Sequence, residues 1–78
     1  MNYVNHIEIS ERIMLGKPVI RGTRITVELI LRKLGEGAAP EAILEMYPQL
    51  KQEDLRAAVA FAAESIAHEE YLLVPETA

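Results

Sequence analysis

The chain has no cysteine and only two histidines, His6 and His68, widely separated in a sequence of 78 residues. Neither a disulfide nor a histidine-based metal site is therefore available to brace the fold. A chain this short makes one domain at most, and it covers a smaller share of its apolar surface than a larger one would. Of the usual supports for a small scaffold, oligomerisation is the one that remains, so a homodimer is expected. Nothing in the composition calls for an oxidising compartment. The polar opening from Met1 to His6 lacks the basic start and apolar core of a secretory signal, and no run approaches the roughly 20 apolar residues of a membrane span. A cytoplasmic protein without membrane contact is expected.

The net charge of −4 divides into two halves of opposite sign. Residues 1–34 carry six basic side chains (Arg12, Lys17, Arg21, Arg24, Arg32 and Lys33) against three acidic ones, a net +3, whereas the remainder carries two basic against nine acidic, a net −7. An acidic total disfavours strong sequence-independent binding to DNA, because that affinity comes from counterions displaced by Lys and Arg. A local basic patch in the first half is compatible with it, and so is the plainer reading in which both charge sets are solvated faces.

Along the chain, Val4 to Ser10 nearly alternates apolar and polar residues, the period of a half-buried strand. Gly16-Lys17-Pro18 forms a turn, and Val19-Ile20 reads as a second short extended piece. Two such strands are marginal in water, so the ribbon must pack on helices or on a second copy. After Gly22 the period changes. Val27, Ile30, Leu31 and Leu34 share one helical face, with Thr26 as N-cap, Glu28 suited to the positive end of the dipole, and Gly35 or Gly37 closing the helix. A second helix starts at Pro40; Ile43, Met46, Tyr47 and Leu50 repeat the same spacing, but Pro48 stops the helix after about two turns, so the face finishes in the exit loop. The third and longest starts near Gln52-Glu53-Asp54 and runs through Leu55, Val59, Ala62, Ala63 and Ile66. Its further apolar residues, among them Ala57, Ala58, Ala60 and Phe61, predict burial on two sides.

These elements predict a mostly helical α+β fold in a single domain spanning 1–78. A β-ribbon and Gly/Arg turn segment occupies 1–25, a three-helix bundle of helix-turn-helix, homeodomain-like proportions occupies 26–70, and a tail occupies 71–78. In a DNA-reading domain of that kind the third helix would lead with Glu53, Asp54 and Arg56, and its carboxylates would repel phosphate. Val59, Phe61, Ala62 and Ile66 are the candidate dimer or core interface.

Chemistry-bearing patterns are few. Neither histidine has a second one at i+3 or i+4, and Ser10, Thr23, Thr26 and Ser65 lack the flanking residues of a nucleophile. No enzyme activity, cofactor, metal or small-molecule substrate is expected. The segment from Gly16 to Thr26 stands apart, with three cations, two glycines and a proline in eleven residues. Lys17, Arg21, Gly22, Thr23 and Arg24 are the candidate binding residues: the glycines permit a tight turn, and Arg21 and Arg24 could grip a carboxylate or phosphate in bidentate fashion. Pairing of both arginines with acidic residues of the same chain or a dimer mate is the equal alternative.

The run GKPVIRGTRITVELIL, followed by Gly-x-x-Pro-Glu-x-Ile-Leu, Tyr-Pro-x-Leu, Glu-Asp-Leu-Arg-Ala-Ala and Phe-Ala-Ala, resembles the bacterial and archaeal family named domain of unknown function 433 over roughly residues 4–67. The resemblance implies small homodimers of winged or helix-turn-helix type, acting as antitoxins beside PIN-like ribonuclease toxins. The sequence departs from the family pattern at two helix starts, with Ala38-Ala39 where Ser or Thr would precede the proline and Lys51 where Thr would cap the third helix. Each absent cap would weaken its helix by about 1 kcal/mol.

Three function classes are compatible with these features. As an antitoxin, the protein would cover the basic groove of a PIN-like nuclease with its acidic second half and apolar tail, while Lys17, Arg21 and Arg24 contact operator DNA or the partner. As a transcriptional regulator it would bind operator DNA without a toxin, and as a structural dimeric adaptor it would do neither.

Overall fold

Thr26 decides where the first helix begins, because its Oγ1 accepts a 3.0 Å hydrogen bond from the Leu29 N–H and so satisfies one of the free donors of the opening turn. In the computed structural model, which describes residues 3–68, this helix, α1, spans Val27–Gly35. Gly37 closes it at φ +99°, a conformation that costs other residues strain. The Ala38 N–H then reaches the Lys33 C=O and the Gly37 N–H the Leu34 C=O, the two bonds of a Schellman stop.

Pro40 opens α2 (Pro40–Met46), with no side-chain bond from Ala39, and Pro48 comes just after its end. The third helix, α3, spans Gln52–Ala67. Its start is capped from within: Lys51 offers no acceptor, and the Asp54 carboxylate instead receives the Lys51 N–H at 2.9 Å. Neither Ala39 nor Lys51 caps its helix through its side chain, and at α3 the Asp54 bond to the Lys51 N–H supplies the reciprocal half of a capping box.

Before the helices, β1 (Ile7–Glu8) pairs antiparallel with β2 (Val19–Ile20), placing Ile7 opposite Ile20 and Glu8 opposite Val19. β1 is shorter than the alternation from Val4 to Ser10 predicts. The His6 and Ile7 N–H groups both donate to the Tyr3 C=O, so the chain is still turning where a longer strand would have run. The other side of β2 is bonded too, by the Ile20 N–H to the Ile25 C=O and the Val27 N–H to the Pro18 C=O. Bonded on both flanks, β2 is the centre of this small assembly, and Val19 and Ile20 are buried.

Between the strands, Met14, Leu15 and Gly16 take φ values of +50°, +58° and +83° in succession. Left-handed backbone at two non-glycine residues is uncommon and mildly strained. Leu15 at the tip is 94% exposed.

One apolar cluster joins ribbon and helices: Ile7, Ile20 and Ile25 meet Val27 and Ile30 of α1, Ile43 of α2, Leu50, and Leu55, Ala57 and Ala58 of α3. The small alanines allow neighbouring elements to approach α3 closely, which is why its first half is the most deeply set part of that helix. Tyr3 and Phe61 seal one end edge to face, with centroids 5.6 Å apart. The second half of α3 is different, because Ala63, Glu64, Ser65, Ile66 and Ala67 are exposed among the described residues. Burial in the first half of α3 falls on Leu55, Ala57 and Ala58, whereas Val59 and Ile66, expected to be covered, are exposed at 47% and 55%. The tail 71–78 lies outside the described residues, and no described helix is long and apolar enough to cross a membrane.

Candidate functional site

The segment from Gly16 to Thr26 wraps around β2 and enters α1, and each of its polar side chains has a different task. Gly22, at φ +80°, occupies the third position of a turn closed by the Thr23 N–H to the Ile20 C=O, where a type II turn requires positive φ. The Thr23 hydroxyl locks the same turn, donating to the Ile20 C=O at 2.7 Å and accepting from the Ile25 N–H at 3.0 Å. Gly22 and Thr23 thus shape the corner.

Arg21 faces main chain. Its Nε donates to the Asn5 C=O, and its Nη2 donates to the Val4 and Ile7 C=O groups, at 3.2 to 3.3 Å. Its own N–H continues the ladder to the His6 C=O. The guanidinium fork stitches the opening turn to the ribbon, a partner set different from either the carboxylate or the phosphate that the sequence suggests. Arg21→Ala should lower stability by about 1–2 kcal/mol, while Arg24→Ala should stay within about 0.5 kcal/mol. Urea denaturation of the two variants reads the difference directly, and equal midpoints would refute this division of labour.

Lys17 and Arg32 converge on Glu28. Lys17 Nζ lies 3.2 Å from Oε1, and Arg32 donates through Nε and Nη2 to Oε2 at 3.1 and 3.0 Å. These hydrogen bonds, Arg32's first and then Lys17's, hold the Glu28 carboxyl below the usual carboxylate range. A folded-state value below the unfolded one means that the group's contribution to stability is complete above the ordinary glutamate range and is lost as pH falls through the lowered value. A carbon-detected NMR titration should place the Glu28 midpoint below the ordinary value of about 4.3. A midpoint at or above it would mean the ion pairs do not persist in solution.

Arg24 is exposed and makes no ion pair among the described residues. It shares a small recess with Met14, Lys17, Leu29 and Arg32. With Glu28 serving two cations, this corner keeps a surplus of positive charge centred on Arg24.

Two other surfaces stand out. The exposed positions of α2 and the start of α3 carry Glu41, Glu45 and Glu53, with Lys51 and Arg56 as the cations among them. Of the three residues that would lead a DNA-reading helix, Asp54 is turned inward: its Oδ1 lies 3.0 Å from His6 Nδ1 while its Oδ2 receives the Lys51 N–H. The His6–Asp54 link bridges 48 positions and has no sequence signature.

The remaining surface is the seam between α1 and α3. Pro18, Val27 and Leu31 face Phe61, Ala62 and Ile66 across an apolar groove of about 490 Å³, with Glu28 and Arg32 on its rim. Val59 lines a smaller recess further along the seam, with Leu34 and Leu55. The four candidate interface residues are thus distributed over two neighbouring hollows. No group of three or more metal-ligating side chains occurs among the described residues.

A family model whose description reads "Protein of unknown function (DUF433)" matches residues 7–62. The fold is similar to a crystal structure of a DUF433 member protein from Anabaena variabilis ATCC 29413, with a TM-score of 0.77 and 33% sequence identity over 82% of this chain. The match spans 63% of that protein's chain. Among curated proteins none matches significantly.

Proposed function

The chain belongs to the DUF433 family of proteins of unknown function, and from that premise we propose that it is an antitoxin-like binding module that neutralises a PIN-like nuclease partner. The observation that carries this reading is the sign of charge on the helix-turn-helix pair. Where a DNA-reading unit would present cations to phosphate, the exposed positions of α2 and early α3 present Glu41, Glu45 and Glu53. A carboxylate-rich helical surface is complementary to the basic groove with which a nuclease holds its own substrate, and such complementarity speeds encounter and rejects acidic competitors. Co-expression with the nuclease-like product of a neighbouring gene should give a stable complex and rescue growth. Failure to form any complex would overturn the reading.

A second reading rests on Arg24, which is exposed, lies beside Lys17 and Arg32, and makes no ion pair among the described residues. A transcriptional regulator using this corner would bind operator DNA with an affinity that falls with salt and is lost in a Lys17→Ala, Arg24→Ala double variant. Arg21 is left unchanged in that test because its replacement would loosen the ribbon.

A further inference from the structure

Two large apolar side chains of α3, Val59 and Ile66, are left about half exposed although the first half of the helix is packed into the core. They stand seven residues apart on one helical face, with about 10.5 Å between them along the axis. That face borders the seam with α1, and the seam holds two apolar hollows. The α3 wall of the larger runs from Phe61 to Ile66 and that of the smaller from Gln52 to Val59. Their centres are thus about eight residues, or roughly 12 Å, apart, which matches the spacing of the two side chains to within about 2 Å. We propose that this seam is the two-fold interface of a homodimer, in which α3 of one copy lies antiparallel along the seam of the other, with Val59 entering the larger hollow and Ile66 the smaller.

Self-complementarity, charge and area point to a second copy as the occupant. Ile66 lines the larger hollow and Val59 the smaller, so each residue is both a knob and part of a hole. A two-fold pair demands this, because whatever one residue does to its counterpart is done in return. Centring Val59 in the partner's larger hollow sets the axis at the level of Phe61, and centring Ile66 in the smaller sets it at the same level. One arrangement therefore satisfies both contacts, and Ala62 and Ala63 beside the axis let the two helices approach closely. In this register Arg56, exposed at the smaller hollow, comes alongside the last turn of the partner's α3, whose end at Ala67 presents the helix's negative pole. That contact occurs twice. The seam is lined from Gln52 to Ile66, about 21 Å of helix, and two helices side by side are roughly 20 Å across, which gives a footprint on the order of 400 Å² on each copy. A standard interface buries about 800 Å² on each partner, so this dimer is weak and depends on concentration in the micromolar range or above. Glu41, Glu45 and Glu53 line neither hollow, so the dimer would carry two free acidic surfaces whatever their partner is.

The test uses the full chain. In sedimentation equilibrium from micromolar to millimolar concentration, the average mass should rise from that of one chain toward that of two. A Val59→Asp, Ile66→Asp double variant should weaken association by about 10-fold or more. Its Ile30 and Ile43 methyl resonances should stay in place, since neither changed side chain is enclosed within its own chain. The contact itself is read on the unaltered chain, by isotope-filtered NMR of a mixture of labelled and unlabelled molecules. A cross-peak between the methyls of Val59 and Ile66 on different chains is expected, whereas within one helix the two are about 10.5 Å apart and too distant to give one. This measurement keeps the test decisive even if the double variant folds poorly. A mass that stays at one chain up to millimolar concentration overturns the proposal, as does a well-folded double variant that associates as tightly as its parent. So does a missing cross-peak between chains, which would place any association on another face, or a groove whose cross-peaks arise solely within one chain.

Discussion

Ile43→Ala is expected to cost about 3 kcal/mol, within the span of about 2–5 kcal/mol for truncating a fully enclosed isoleucine. Ile43 has no solvent exposure and is the one residue that the seven-residue helix α2 buries completely. That helix has no side-chain cap at Ala39 and is too short to persist alone, so its position depends on this anchor. A domain of this length has about 4–12 kcal/mol to lose, and the change should lower the thermal midpoint by roughly 12–24 °C. Differential scanning calorimetry checks it, with Leu15→Ala as the control, since a side chain 94% exposed should cost less than about 0.5 kcal/mol. A shift for Ile43→Ala as small as the control's would show that α2 is not seated by its isoleucine.

The largest effect on partner binding should come from the combined variant Glu41→Lys, Glu45→Lys, Glu53→Lys. If these three carboxylates meet a basic nuclease surface, reversing them replaces attraction with repulsion. At about 1 kcal/mol for each exposed site, affinity should fall by on the order of 100-fold, with much of the loss in the association rate at low salt. Glu41 and Glu53 also lie in the first turns of α2 and α3, where lysine opposes the helix dipole. The matched glutamine triple variant therefore serves as the reference for folding. Surface plasmon resonance at two salt concentrations separates the outcomes: unchanged affinity in the lysine variant would remove the acidic surface from the interface.

Helix starts and stops were the most legible part of this fold. Thr26, Pro40, Pro48 and the acidic pair Glu53-Asp54 each act within a turn or so of their own position, so their meaning can be read locally. Between the two candidate glycines, sequence left the end of α1 open, and the six-to-one bond from Ala38 to Lys33 selects Gly37. The alternation from Val4 to Ser10 predicts a longer strand than Ile7–Glu8, because alternation reports which residues could face inward and not where the chain turns. The left-handed run at Met14 and Leu15 was hidden for a related reason: neither residue type signals positive φ.

The candidate site was legible as a segment but not in its roles. Glycines, a proline and cations marked residues 16–26 as unusual, yet nothing in an arginine's identity tells whether its fork will meet an anion or a set of carbonyls. Arg21 meets the carbonyls of residues 4, 5 and 7, groups that every sequence possesses and none advertises. Arg24, three positions away, is left facing water. For this pair the neighbouring chain, not the residue type, assigned the work.

Asp54 spends its two oxygens on different parts of the molecule, one on His6 beside the ribbon and one on the backbone that opens α3. Peeling the amino-terminal segment away would leave that oxygen without its histidine and loosen the side chain that also terminates the helix. The two regions should consequently open as one cooperative unit. Amide hydrogens at Ile7 and in the first exchange-protected turn of α3 should then share a single opening free energy in native-state hydrogen exchange, with no separate fraying of the ribbon.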